Sequence, residues 1–278
     1  PSSVGVWMRG AWDRVVDIPC GDLDEFRRKR ARNDYPVLAA LDLGISRLRI
    51  ALSDLEHPLA RQRVADLAAL GFEFLVFHPG LPGRRHADLL RACPDGLVQL
   101  EVLTRPRQLG HRHVLESPFP LPIAISCIGD AEAGRRGYFS HFPAQGFSVD
   151  SAALESALQV LPGVSHLVFR IPPSGSTLRD VETAVARAGA LGRAAVCHIE
   201  IARGSERQPH TDDSIVARQV AEAVLAARGF PTAQVYLDTF EDKDRGYYPR
   251  HGLVDRRGNL RPAACVLRNL GTLLGPDA

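Results

Sequence analysis

Residues 177–201 read TLRDVETAVARAGALGRAAVCHIEI, and this line decides the fold. Over 177–191 the apolar residues are spaced for one buried helix face. After a turn, 195–201 is a β-rich apolar run, AVCHIEI, interrupted only by His198 and Glu200. A second helical stretch follows at 213–228. Helix, strand and helix in that order call for parallel strands joined by crossover helices.

The same alternation runs to both ends of the chain. Eight apolar runs qualify as strands: 4–9, 47–53, 72–78, 97–103, 123–128, 166–171, 195–201 and 234–240. Helical stretches are predicted at 59–70, 151–161, 177–191, 213–228 and 262–274. Eight such strands are enough to close a barrel. An open doubly wound sheet usually needs fewer, and its G-x-G-x-x-G turn is absent after the first run. The expected fold is therefore α/β, a (β/α)8 TIM barrel forming a single domain over 1–278.

Composition agrees with that expectation. The chain has 278 residues, 45% hydrophobic and 24% charged, enough to bury a large core. Net charge is +2, from 34 basic and 32 acidic residues, so no basic footprint speaks for nucleic acid. No apolar run approaches the roughly 20 residues of a membrane span. The five cysteines, Cys20, Cys93, Cys127, Cys197 and Cys265, are widely spaced, which favours a reducing, cytoplasmic setting. Cys127 and Cys197 lie in apolar runs and read as core thiols. The abrupt start at Pro1 leaves room for further domains on the N-terminal side.

In a barrel, the C-terminal strand ends and the loops after them build the site. That rule selects a short set of polar residues. His198 and Glu200 share one face of the seventh strand, and Gln99 and Glu101 share one face of the fourth. Asp238 lies on the eighth strand, Arg170 on the sixth, His78 ends the third, and Arg47, Arg49 and Ser53 share one side of the second. Buried charges are costly unless paired, so these groups are expected to converge. They do so either as a catalytic set, with Glu101, His198, Glu200 and Asp238 at its centre, or as internal salt bridges.

The loops add binding groups. After the eighth strand, 241–255 reads EDKDRGYYPRHGLVD. Tyr247 and Tyr248 are suited to stacking on a sugar ring, and Arg245 and Arg250 to holding a carboxylate or phosphate. The alternative is a loop stitched to the rim by Arg–Asp pairs. His78 and Arg170 complete the substrate-binding set. Arg203, Arg207 and His210 follow the seventh strand, where Thr211 or Asp212 is expected to cap the next helix. Arg135, Arg136, Tyr138, His141 and Gln145 follow the fifth.

Glu101 on strand four and Glu200 on strand seven resemble the pair in retaining glycoside hydrolases built on (β/α)8 barrels. The resemblance implies a glycosidase-like hydrolase of carbohydrate metabolism, with Glu101 as acid/base and Glu200 as nucleophile, their carboxyls about 5–5.5 Å apart. Leu100 stands where that group usually has Asn. The substrate would be a small carbohydrate or acidic sugar, with no cofactor. A second resemblance, to the xylose-isomerase-like barrels, implies a divalent metal held in part by His198 and Asp238, for isomerase, epimerase or lyase chemistry. Ser126, Cys127 and Arg170 stand where that group has acids. A third reading is a non-catalytic barrel that binds a ligand or partner within a larger protein. No G-x-S-x-G, H-E-x-x-H or P-loop motif is present, which disfavours serine hydrolase, zincin and nucleotide chemistry.

Overall fold

The computed structural model describes residues 4–18, 29–93, 96–105, 119–129, 145–161, 163–173, 175–201, 212–242 and 251–275. The chain opens with β1 (Val4–Trp7), a 3-10 turn at Arg9–Asp13, and an antiparallel hairpin of β2 (Val15–Ile18) and β3 (Lys29–Arg32). Next come α1 (Tyr35–Asp42), β4 (Arg47–Ala51), α2 (Pro58–Ala69), β5 (Glu73–Pro79), α3 (Arg84–Ala92), β6 (Leu97–Thr104) and β7 (Ile123–Cys127). The rest is α4 (Ala153–Val160), β8 (His166–Ile171), α5 (Thr177–Ala190), β9 (Ala194–Ile199), α6 (Asp213–Gly229), β10 (Gln234–Leu237) and α7 (Pro262–Leu273).

Eight of the strands form a closed parallel barrel in the order β1, β4, β5, β6, β7, β8, β9, β10, with β10 pairing back to β1. Closure is set by Val4 opposite Val235 and Val6 opposite Leu237 on one side, and by Val6 opposite Leu48 on the other. All eight strands expected from the sequence are present, with ends displaced by one or a few residues. The third, fourth, seventh and eighth strands of the barrel are β5, β6, β9 and β10.

Each barrel strand is largely buried on both faces, which is why it reads as an apolar run. One face packs outward against the helices: Leu48 and Ile50, Phe74 and Val76, Leu100 and Val102, Leu167 and Phe169, Cys197 and Ile199 all belong to that outer core. Burying each such side chain contributes about 1.5–3 kcal/mol. Burial also pushes the Cys197 thiol up to about 12, as befits an inert core group.

The opposite face fills the lumen. Leu75, Ala124, Val168, Val196 and Tyr236 form a separate apolar plug there. Gly5 makes room for it, since a Cβ at that position would lie 2.5 Å from the Tyr236 ring. Alternation places Trp7, Phe77, Ser126 and His198 one step further along their strands, on the C-terminal side of the plug.

Helix ends follow local chemistry. The Asp212 carboxylate accepts from the Ser214 amide at 2.8 Å and caps α6, the role expected for it. Ser176 caps α5, and Pro58 opens α2 behind the His57 cap. The β2–β3 hairpin lies outside the barrel, with Val15, Val16 and Ile18 exposed.

Candidate functional site

The polar lumen residues meet above the Tyr236 plug. Glu101, in the middle of β6, is fully buried, and its Oε2 accepts from Arg49 Nε on β4 at 2.6 Å. His198 Nε2, from β9, lies 3.6 Å from the same oxygen. Three strands therefore send charged or titratable groups to one point. The Arg49 guanidinium lies against two aromatic rings, 4.5 Å from the Trp7 centroid and 4.1 Å from that of Phe77. Trp7 and Phe77 meet edge to face at 5.5 Å.

A second pair stands nearer the mouth. Arg170 Nη2, on β8, donates to Glu200 Oε2 at 2.8 Å, just beyond the end of β9. Asp238 follows the end of β10, where its Oδ1 accepts from the Ile201 amide at 3.2 Å and the Thr239 hydroxyl at 3.0 Å. Glu101, His198, Glu200, Asp238 and Arg170 are thus gathered at the C-terminal end of the lumen.

Electrostatics separates their roles. Burial pushes the Glu101 carboxyl up, but the adjacent Arg49 guanidinium outweighs it. The net result lies below the usual carboxylate range. A group in that state is ionised at neutral pH and is a poor proton donor. Burial pushes His198 down to about 4; Glu101 and Asp238 oppose that shift and Arg49 adds to it. Its imidazole is therefore neutral at pH 7. Around this pair several fully buried polar atoms have no hydrogen-bond partner among the described residues. They are Arg49 Nη1 and Nη2, Glu101 Oε1, His198 Nε2, Ser126 Oγ, and both amide atoms of Gln99 deeper in β6.

His78 stands apart from this group. Its Nδ1 lies 2.9 Å from the Gly80 carbonyl and its ring packs on His86 of α3 at 4.5 Å. It shares the outward face of β5 with Phe74 and Val76. Arg245, Tyr247, Tyr248 and Arg250 lie outside the described residues, as do Arg135, Arg136, Tyr138, His141, Arg203, Arg207, His210 and Thr211. The described ends of the loop after β10 are held by ion pairs: Glu241 to Arg14, and Asp242 to Arg261, which also reaches Asp213 at 3.3 Å.

The sequence reading passed over Trp7 and Phe77, and named Arg49 only among the strand charges expected to converge. Trp7 and Phe77 carry the inward parity at the C-terminal ends of their strands, and that signal was available. Among the described residues no group of three His, Cys, Asp or Glu side chains stands close enough to hold a metal ion. Any further donors that a divalent cation beside His198 and Asp238 needs would come from outside the described residues.

No protein-family model matches the chain, and none of the curated proteins matches its sequence. Among solved structures it is similar to a β-D-mannosidase from Dictyoglomus thermophilum, with 10% identity and a TM-score of 0.36. The overlap covers 84% of this chain and 35% of that one, so the chain spans about a third of that protein's length. No helix among the described residues is long and apolar enough to cross a membrane.

Proposed function

We propose that this chain is a barrel enzyme that acts on a carbohydrate at the C-terminal mouth, with Glu200 as the carboxylate that meets the reacting carbon. The observation that carries the reading is the Arg170–Glu200 pair at the ends of adjacent strands, beside His198 and Asp238. A guanidinium on one carboxylate oxygen fixes the direction in which the group faces the mouth. In this reading Glu200 forms a bond to the anomeric carbon as the bond to the leaving oxygen breaks, and water later releases the sugar.

Glu101 takes a different part from the one its resemblance implies. Held by Arg49 and ionised, it fixes Arg49 and His198 beneath the mouth and does not donate the proton. Aryl glycosides with strongly acidic phenols need no proton at the leaving oxygen, so they test Glu200 directly. Glu200→Gln is expected to lower their turnover by about three orders of magnitude while the cooperative melt is retained. Turnover equal to the parent would overturn the assignment.

A second reading is favoured by one observation: each of the two glutamates is tied to an arginine. In that reading the barrel binds a sugar and does no chemistry. It predicts stabilisation by ligand with no turnover of any glycoside. The metal-dependent reading requires donors from outside the described residues, and full activity after exhaustive chelation would eliminate it.

A further inference from the structure

We propose that Arg49, Glu101 and Gln99 form a subsite at the floor of the mouth for hydroxyl groups of an uncharged sugar. The proposal deepens the carbohydrate reading above and rests on it. All three side chains are almost wholly buried. The ion pair between Arg49 and Glu101 uses one atom of each group, Nε and Oε2. Nη1 and Nη2 of the guanidinium and Oε1 of the carboxylate have no hydrogen-bond partner among the described residues. Neither have the two amide atoms of Gln99, two residues earlier on the same face of β6. Buried donors and acceptors are nearly always paired in folded proteins, and each one left bare is costly. Here they gather on one face of the barrel wall's interior, beside His198 Nε2, which has no hydrogen-bond partner either.

The chemistry of these atoms specifies the occupant. Arg49 and Glu101 cancel each other's charge, so an anion or a cation placed beside them leaves one buried charge unbalanced. What remains is a mixture of donors, Arg49 Nη1 and Nη2 and Gln99 Nε2, and acceptors, Glu101 Oε1 and Gln99 Oε1. A hydroxyl donates and accepts, so neighbouring hydroxyls on a sugar ring satisfy both kinds together. The approach is from the mouth. The Trp7 and Phe77 rings lie against the Arg49 guanidinium, and both residues face the lumen and are partly exposed. They set an apolar wall beside a polar floor, matching the two kinds of surface that a sugar ring presents.

Water offers the same hydroxyl chemistry, and the test separates the two. Binding of glucose, mannose and galactose is measured by calorimetry on the full chain, beside analogues of each that lack a single hydroxyl. For at least one sugar, loss of one hydroxyl is expected to weaken binding about tenfold or more. In the double variant Arg49→Met, Glu101→Leu, which leaves no bare charge in the lumen, that penalty disappears because the complete sugar binds as weakly as its analogue. If the double variant fails to melt cooperatively, Arg49→Lys provides the readout. It keeps a cation beside Glu101 and removes the guanidinium fork, and an undiminished penalty there overturns the subsite. Sugars that bind with no such penalty, or with every penalty unchanged in the variant, show that water alone fills the floor. That result overturns the subsite and leaves the carbohydrate reading standing. No binding by any sugar would overturn both.

Discussion

At the scale of residues, the lumen joins two kinds of charge that behave differently with pH. His198 titrates near 4 in the folded chain against 6.5 when free, so between those values the unfolded chain binds a proton that the folded one refuses. Stability is therefore complete above pH 6.5 and falls as pH drops toward 4, by an amount on the order of 3 kcal/mol. His166, shifted down by burial, acts in the same direction. Glu101 adds its share lower still: its carboxyl is depressed, so the stability it contributes is lost only as pH falls through its folded value. Urea midpoints measured from pH 7.5 to pH 4.5 are expected to decline for the parent. In His198→Asn the decline should be visibly flatter, and that comparison separates His198 from Asp54 and Asp180, whose carboxyls are shifted up by burial. A parallel decline in both proteins would refute the assignment of a neutral, buried imidazole.

At the scale of elements, the site depends on backbone that touches β8 from outside it. Gly146, at φ +107°, lies so close to that strand that a Cβ would stand 2.6 Å from the Arg170 amide nitrogen. The neighbouring Phe147 amide donates to the Val168 carbonyl, and the Arg170 amide donates back to the Phe147 carbonyl. Gly146→Ala is expected to destabilise the chain by roughly 2 kcal/mol or more and to loosen the Arg170–Glu200 pair. Denaturant melts check the first effect and glycoside turnover the second. The barrel strands were legible because burial on both faces leaves a continuous apolar run. Helices α1 and α3 were not: α1 is short, with Pro36 at its start, and α3 opens on Arg84, Arg85 and His86. The hairpin escaped for the opposite reason, since β2 is exposed throughout and β3 is the charged run Lys29–Arg32.

At the scale of the whole molecule, strand count and order could be read from one dimension because parallel crossovers keep neighbours in sequence adjacent in space. Convergence of the strand charges could be read too, but not which of them meet, Arg49 with Glu101 and His198 beside them. That depends on how far each strand is staggered against the next, which residue types do not encode. Amide hydrogen exchange should report the same division. The barrel strands are expected to exchange only with global unfolding, whereas β2 and β3 exchange through local opening. Equal protection in both would contradict the separation of hairpin from barrel. Closure of the wall has one more consequence, for behaviour at high concentration. A wall without ends offers no unpaired backbone rim on which another molecule could template a strand. Among the described residues that liability passes to the ribbon after β1, where three aliphatic side chains face water. The exposed charges Arg30 and Asp17 on that same ribbon are what discourages copies from zipping together there.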